Sequence, residues 1–315
     1  MATPSTSIAF MFPGQGSQSV GMLADLAQAH PGVRTTFEEA SDGAGVDLWA
    51  LSQQGPEASL NRTENTQPAL LASGVAVWRV WATMGGAQPS KLAGHSLGEY
   101  TALVAAGVLS LHDAAGLVTE RGRLMQAAVP LGTGGMAAVI GGDEERIAQI
   151  CAEEAEDQVV APANYNSPGQ VVIAGNVEAV DRVLARLAEA GVKKAVKLAM
   201  SVPSHCELMR DAADQLAQRM DGMVWSSPEL PVVQNVDARV HQDVASIREA
   251  LRKQLFMPVR WSGCVQALAA EGITDLAECG PGKVLTGLVR RIDRGLSGHA
   301  LGTPDAIEAA RAAWA

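Results

Sequence analysis

A serine between two glycines is the residue of this sequence best placed for covalent chemistry. Residues 94–98 read Gly-His-Ser-Leu-Gly and lie between a short apolar strand candidate and an apolar helix candidate. This is the G-x-S-x-G pattern of a nucleophile elbow, in which the glycines allow a sharp turn that exposes the serine hydroxyl. The start of the next helix also favours negative charge nearby, such as a developing oxyanion. Ser96 is therefore the candidate nucleophile, and a glycine-rich turn whose serine merely caps the helix is the alternative.

A serine nucleophile needs a base, and position in the chain favours one of the six histidines. His205 follows the last strand predicted before residue 200, where the chain returns to the larger part of the fold. His95 adjoins Ser96 in sequence, so we expect its side chain to point away from the serine. Four others lie in polar, turn-like contexts and are expected at the surface: His30, His112, His241 and His299. A histidine packed at a helix start by Pro203 is the alternative interpretation of His205.

The third member of a hydrolase triad is missing from the sequence pattern. In such triads an Asp or Glu lies between the serine and the histidine in chain order. The acids of residues 113–186 fall in predicted helices or in a predicted small domain, and none follows a strand of the larger part. This counts against an ordinary esterase, and a backbone or amide carbonyl could orient the imidazole instead.

An arginine interrupts an apolar helical stripe. Ala114, Val118, Arg121 and Met125 share one face of the predicted helix. Such an arginine either extends to water or pairs with an anion. It could grip a carboxylate through charge-assisted hydrogen bonds of about 1.5–3 kcal/mol each. A buried ion pair with a structural glutamate is equally open, whereas we expect Arg123 to be solvated.

Two glycine-rich loops do not fit nucleotide-binding patterns. The loop at 14–16 has Ser19 where a third glycine is needed, and the loop at 277–284 lacks the first glycine of a P-loop and its Ser/Thr. The first loop follows the first predicted strand, where backbone N–H groups could complete an oxyanion hole. The second loop is expected to turn a strand into a helix.

Composition limits the class of protein further. The 315 residues are 47% hydrophobic and 18% charged, enough for one large domain or two ordinary ones. A net charge of −10 argues against a general nucleic-acid binder. The four cysteines, at 151, 206, 264 and 279, lack metal-ligand spacing and are expected to be reduced thiols. No signal peptide is evident and the longest apolar run is too short to span a bilayer, so we expect a cytoplasmic protein that does not enter membranes.

Strands and helices alternate along most of the chain, which predicts a parallel sheet covered by helices. Strands are expected at 7–12, 91–94 and 231–238, a helix at 96–109, and another helix starting at 66–68. Residues 130–200 instead follow the order βαββαβ, which is the ferredoxin-like arrangement. The predicted fold is therefore α/β, with a catalytic domain formed by 1–129 and 201–315 and an inserted subdomain at 130–200.

Six short motifs occur in an order that is specific to one family. They are FPGQGSQ at 12–18, TQPAL at 66–70, GHSLGEY at 94–100, RG at 121–122, SVPSH at 201–205 and GPGKVLTGL at 280–288. From about residue 7 to about residue 295 the chain closely resembles the malonyl-CoA:acyl carrier protein transacylases of type II fatty acid synthesis. The resemblance implies an α/β-hydrolase-like core with an inserted ferredoxin-like subdomain, in agreement with the predicted division.

The resemblance also implies roles for individual residues. By this resemblance Ser96 is the acylated nucleophile, His205 is its general base and acid, and Arg121 binds the malonyl carboxylate. The backbone N–H groups of Gln15 and Leu97 form the oxyanion hole, and the carbonyl of Gln254 orients the histidine. Gln67 and His95 line the site. The carbonyl of Gln254 would account for the missing acid. The implied reaction is a ping-pong transfer from malonyl-CoA to the phosphopantetheine thiol of acyl carrier protein, with no metal or redox cofactor.

An acidic carrier protein can dock on a chain of charge −10 if the surface is locally basic. The candidates are Lys193, Lys194, Lys197, Arg290, Arg291 and Arg294. Solvated faces of a strand and a helix are the alternative for both clusters.

Other functions remain open at this point. The same chemistry could serve malonate decarboxylase or a polyketide pathway, although SVPSH departs from the HAFH-type segment of polyketide acyltransferase domains. A serine esterase or thioesterase would transfer the acyl group to water, and a non-catalytic scaffold would keep the fold alone.

Overall fold

The computed structural model describes residues 5–199 and 202–314, and within these ranges the strands form two sheets. The strands are β1 (Ser5–Phe12), β2 (Pro89–Gly94), β3 (Gly134–Ile140), β4 (Val160–Ser167), β5 (Gln170–Asn176), β6 (Lys194–Lys197), β7 (Val232–Val233), β8 (Asp275–Glu278) and β9 (Ser297–Ala300).

Helices cover both sheets. They are α1 (Ala24–Ala29), α2 (Gly32–Ala44), α3 (Leu48–Gln54), α4 (Glu57–Leu60), α5 (Thr63–Thr83), α6 (Leu97–Ala105), α7 (Leu111–Ala127), α8 (Glu144–Glu154), α9 (Val177–Glu189), α10 (Arg210–Asp221), α11 (Val244–Gln254), α12 (Trp261–Ala270), α13 (Val284–Ile292) and α14 (Pro304–Ala313). Across residues 5–199 and 202–314, none of them has the length and apolar character needed to cross a membrane.

The larger sheet is parallel, as the alternation of strands and helices predicts. Its strand order is β7-β2-β1-β8-β9. Side chains alternate between the faces of a strand, so the central β1 supplies two separate cores. Phe10 and Phe12 pack on one face with α5, α6 and α7, whereas Ala9 and Met11 pack on the other with α12 and α13. Both faces of this sheet are therefore buried under helices.

The smaller sheet is antiparallel, and the order β3-α8-β4-β5-α9-β6 confirms the predicted ferredoxin-like arrangement. Its strand order is β4-β5-β3-β6, and α8 and α9 pack on a core that includes Ile150, Ile173 and Val183. The predicted division of the chain at residues 200 and 201 lies outside the described residues, as does Ser201 of the SVPSH motif. The domain ranges therefore stay a prediction.

Three expected boundaries are wrong, each for a local reason. Helix α5 begins at Thr63, because Arg62 is the last residue with extended backbone, and Pro68 lies inside the helix. Helix α6 ends at Ala105 instead of 109, because Gly107 turns the chain with φ +74°. The strand predicted around 231–238 is reduced to β7, because a tight turn closes with the Gln234 N–H donating to the Arg239 carbonyl.

The carboxyl ends of the parallel strands position the candidate site residues. The glycine-rich loop follows β1, the serine turn follows β2, and Asn235 follows β7, so all three meet at one edge of the sheet. Strand β4 of the smaller sheet reaches the same edge through a bridge between Asn164 and Val259. The smaller sheet therefore forms the second wall of a cleft.

Candidate active site

Ser96 lies at a strained turn between β2 and α6. Its φ of 52° and ψ of −108° are unusual for a residue with a side chain. A Cβ at Gly94 would collide with the carbonyl of Gly98, and a Cβ at Gly98 would collide with the carbonyl of Phe12. Both glycines are therefore required by close backbone approach, and the turn has the geometry that the G-x-S-x-G pattern predicts.

His205 reaches the serine from the segment that follows the smaller sheet. Its Nε2 lies 2.8 Å from Oγ of Ser96, and its Nδ1 lies 2.6 Å from the backbone carbonyl of Gln254. Because a carbonyl can only accept, Nδ1 carries the proton and Nε2 is free to take the serine proton. The carbonyl thus occupies the place of the triad acid that the sequence lacks.

The environment keeps His205 neutral. Burial lowers the pKa of His205 to about 3, and the positive charge of Arg121 acts in the same direction. A neutral imidazole at physiological pH is the state that a general base requires.

Arg121 is buried beside the nucleophile and is held by neutral groups. Its guanidinium donates to Oε1 of Gln67 at 2.8 Å and to Oε1 of Gln254 at 3.0 Å. It also donates to Oγ of Ser96 at 3.2 Å. Among the described residues no carboxylate lies within 4.0 Å of it, so the structure does not contain the glutamate ion pair left open above. The positive charge remains available to an incoming anion.

Three polar residues that the sequence analysis did not predict hold the residues of the site in place. Asn235 accepts the Ser96 N–H at 2.7 Å and donates to the Gly94 carbonyl at 2.7 Å, which fixes both sides of the turn. Glu99 accepts from the Asn235 N–H at 2.9 Å and from Nε2 of Gln254 at 3.0 Å. Burial raises the pKa of Glu99 to about 7, although hydrogen bonds and Arg121 partly offset this.

The third missed residue, Asn166, connects the two walls of the cleft. Nε2 of His95 lies 2.8 Å from Oδ1 of Asn166 on β4, so His95 is directed to the smaller sheet and not to the serine hydroxyl. A sequence signal existed for Asn235, which follows an apolar strand at the edge where ligands bind. None existed for Asn166, since its partner is contributed by the other sheet.

The backbone groups expected to bind an oxyanion line the same cleft. Gln15 and Leu97 both border it, and within the described ranges neither backbone N–H has an acceptor. The N–H of Ser96 itself is already taken by Asn235. The N–H groups of Gln15 and Leu97 are thus free to bind a developing negative charge.

The cleft has a volume of about 230 Å³ and is enclosed by both sheets. Gln67, Arg121 and Met125 line its inner end, while Met136 and Val172 come from the smaller sheet. Helix α13 also borders the cleft, and Glu278 holds its start by accepting the backbone N–H groups of 285 and 286. The loop at 277–284 therefore turns a strand into a helix, as expected.

The basic residues near the cleft differ in their surroundings. Nη1 of Arg291 donates to Oε1 of Gln170, which lines the cleft, at 3.1 Å. Nζ of Lys197 pairs with Asp181 at 2.6 Å. The remaining candidates are exposed: Lys193, Lys194, Arg290 and Arg294. Among the described residues, no three His, Cys, Asp or Glu side chains are grouped so that they could hold a metal ion, and the four cysteines are buried free thiols.

Residues 9–295 match the family described as the acyl transferase domain, whose chemistry agrees with a serine that can be acylated. The chain is 57% identical to the malonyl CoA-acyl carrier protein transacylase of Salmonella typhimurium, over 97% of this chain and 99% of the relative. It is 42% identical to the enzyme of the same name from Bacillus subtilis, over 97% and 96% of the two chains. The chain belongs to the malonyl-CoA:acyl carrier protein transacylase family.

Solved structures agree with this assignment. The crystal structure of malonyl-CoA:acyl carrier protein transacylase (FabD) from Xanthomonas oryzae superposes with a TM-score of 0.98 at 64% identity, covering 99% of this chain and 100% of that one. A second structure contains a type II PKS acyl-carrier protein in complex with its malonyl-transacylase. It has a TM-score of 0.96 at 54% identity and covers 98% of this chain and 99% of that one.

The low pKa of His205 predicts a pH-dependent stability difference. The unfolded histidine takes up a proton below its ordinary pKa of 6.5, whereas the folded one does so near 3, so acid favours unfolding. From about pH 7.5 to about pH 5, wild type should lose about 2 kcal/mol more unfolding free energy than His205→Gln. Urea unfolding at both pH values measures the difference. Equal losses in the two proteins would contradict a buried neutral histidine.

Proposed function

We propose that this chain is a malonyl-CoA:acyl carrier protein S-malonyltransferase of fatty acid biosynthesis that works in the cytoplasm. One observation carries the proposal: the guanidinium of Arg121, held by neutral amides, lies 3.2 Å from the same Ser96 hydroxyl that His205 contacts at 2.8 Å. In a malonyl thioester one methylene separates the carbonyl carbon from the carboxylate. A cation beside the nucleophile therefore suits an acyl group that carries its own negative charge.

In the first half-reaction, malonyl-CoA binds with its carboxylate on Arg121. His205 takes the proton of the Ser96 hydroxyl through Nε2 as Oγ attacks the thioester carbonyl. The N–H groups of Gln15 and Leu97 stabilise the oxyanion. The carbon–sulfur bond then breaks, His205 gives its proton to the coenzyme A sulfur, and a malonyl ester remains on the serine.

The second half-reaction runs the same steps in reverse. The phosphopantetheine thiol of the carrier protein gives its proton to His205 and attacks the ester carbonyl. The oxyanion forms again at the N–H groups of Gln15 and Leu97. His205 returns the proton to Oγ of Ser96, and the malonyl group leaves on the carrier. The proposed mechanism requires no metal or redox cofactor.

A polyketide carrier protein is the second candidate acceptor. It is favoured by the similarity to a malonyl-transacylase solved with a type II PKS acyl-carrier protein. The half-reaction with malonyl-CoA would be identical for either carrier. Transfer to water is disfavoured by the similarity to a malonyl CoA-acyl carrier protein transacylase along 97% of the chain.

Intact-mass measurement after incubation with malonyl-CoA tests the proposal. Wild type should gain one malonyl group, Ser96→Ala should gain none, and added carrier protein should discharge the adduct. An absent adduct would contradict covalent catalysis by Ser96. Loss of the adduct at the same rate with and without carrier would instead identify a thioesterase.

Replacing Arg121 should change substrate preference. Arg121→Ala removes at least one charge-assisted contact to the malonyl carboxylate, so kcat/KM for malonyl-CoA should fall about 100-fold. kcat/KM for acetyl-CoA should stay constant or rise. The matched control is Arg123→Ala on the same helix, whose exposed side chain lies 3.7 Å from Glu120 and whose loss should affect neither substrate. Equal loss for both acyl groups in Arg121→Ala would refute carboxylate binding.

Among the basic candidates, Arg291 is the one to test for carrier docking, because it contacts a residue at the cleft. Arg291→Glu should raise the KM for an acidic carrier protein several-fold, which corresponds to roughly 1 kcal/mol of binding free energy. The KM for the carrier should also depend less on salt concentration than in the wild type. Acylation by malonyl-CoA alone should change less than transfer to the carrier. Arg123→Glu makes the same charge change away from the cleft, and an equal effect of the two variants would show that overall charge, not docking, is responsible.

A further inference from the structure

A buried carboxylate lies behind the reacting groups without touching the serine hydroxyl. Glu99 is fully buried in the first turn of α6. Its Oε2 accepts the two hydrogen bonds described above, and its Oε1 has no partner among the described residues. A carboxylate in such a place costs stability that an apolar side chain would not cost. The proposed mechanism leaves this residue without a role.

Gln254 is the residue through which Glu99 could act. Its backbone carbonyl accepts from His205, and its side-chain Oε1 accepts from Arg121 at 3.0 Å. Its Nε2 donates to the Ser96 carbonyl at 2.9 Å and to Glu99 at 3.0 Å. Gln254 therefore contacts the nucleophile residue, the base and the carboxylate-binding arginine at the same time.

The orientation of the Gln254 amide decides whether this arrangement works. A rotated amide would turn its NH2 group toward the guanidinium, and two donors would face each other. Oε2 of Glu99 also accepts the Asn235 N–H, so it stays an acceptor whether the carboxyl group is ionised or carries a proton on Oε1, and it holds the NH2 group on its own side. The amide oxygen is then left for Arg121. The neutral amide also lies between Glu99 and Arg121, and among the described residues Arg121 has no direct ion pair.

We propose that Glu99 is a positioning residue, whose carboxylate oxygen orients the Gln254 amide and thereby holds Arg121 for the malonyl carboxylate. The inference rests on the proposed function. What matters in it is the placement of an acceptor atom, and not the negative charge as such. A residue that keeps the acceptor in place should therefore replace Glu99, and one that displaces it should not.

Two conservative variants separate placement from charge. Glu99→Gln keeps an oxygen acceptor at the same distance along the side chain and removes the charge. Glu99→Asp keeps the charge and withdraws the acceptor by about 1.5 Å. The ratio of kcat/KM for malonyl-CoA to that for acetyl-CoA should fall about 10-fold in Glu99→Asp, as expected for an unsatisfied buried donor, and stay within about 3-fold of wild type in Glu99→Gln.

The control is the same change in another buried carboxylate. Glu278 accepts from the N–H groups of Leu285 and Thr286. Glu278→Asp should lower thermal stability but change the malonyl-to-acetyl ratio less than about 2-fold, because Glu278 contacts none of the residues that hold Arg121. Because the ratio does not depend on the folded fraction, a merely structural role for Glu99 would also leave it unchanged in Glu99→Asp. That outcome would overturn the proposal, and so would a larger fall in Glu99→Gln than in Glu99→Asp.

A double-mutant cycle tests whether Glu99 acts through Gln254. In a Gln254→Ala background, Glu99→Asp should change the ratio less than about 2-fold, because the amide to be oriented is gone. A further 10-fold fall in that background would overturn the proposed route. If the wild-type protein itself acquires no malonyl group, the proposed function fails. An acylated wild type with unaltered ratios in the variants defeats the inference about Glu99 alone.

Discussion

The buried positive charge of Arg121 is the constraint on which the site depends. A charge in this place needs hydrogen-bond partners, yet a direct ion pair would leave no charge available to an incoming anion. The structure meets both requirements with neutral groups, namely the amides of Gln67 and Gln254 and the ring of Tyr100, whose centre lies 5.3 Å from the guanidinium carbon. These partners come from α5, α6 and the end of α11, so the packing of three helices around the larger sheet is a condition of holding this charge in place.

The second constraint is the cleft itself, which neither sheet encloses alone. The larger sheet supplies the serine turn and the smaller sheet covers it. Side-chain hydrogen bonds join the walls between His95 and Asn166 and from Arg291 to Gln170. Backbone hydrogen bonds join them between Val259 and β4. The coenzyme A and phosphopantetheine thiols must both enter between these walls. The insertion of a second sheet thus restricts access to the serine while leaving the catalytic groups on the rigid ends of parallel strands.

Several features of the fold and the site could be predicted from the sequence, because each is encoded by residues that are close together in the chain. The glycine spacing around Ser96, the stripe that contains Arg121 and the βαββαβ order each occupy a continuous segment, and the structure contains the geometry that they predict. Glu99 and Asn166 could not be predicted, since their roles depend on contacts with residues more than 70 positions away in the chain. The predicted start of α5 is wrong because proline is usual at the start of a helix. Pro68 instead lies inside α5, where the free energy gained by burying the helix exceeds the cost of the one backbone hydrogen bond that proline removes.

A backbone carbonyl behind His205 fits the energetics of thioester exchange. A triad carboxylate stabilises the imidazolium that forms when the serine loses its proton, whereas a neutral carbonyl orients the ring and stabilises that cation less. The nearby charge of Arg121 disfavours the imidazolium further, in line with the lowered pKa of His205. In the proposed mechanism, such a histidine would hold the proton briefly and give it up readily to a departing sulfur. Transfer between two thiols is nearly balanced in free energy, so a weakly basic, well-oriented imidazole serves both directions of the reaction.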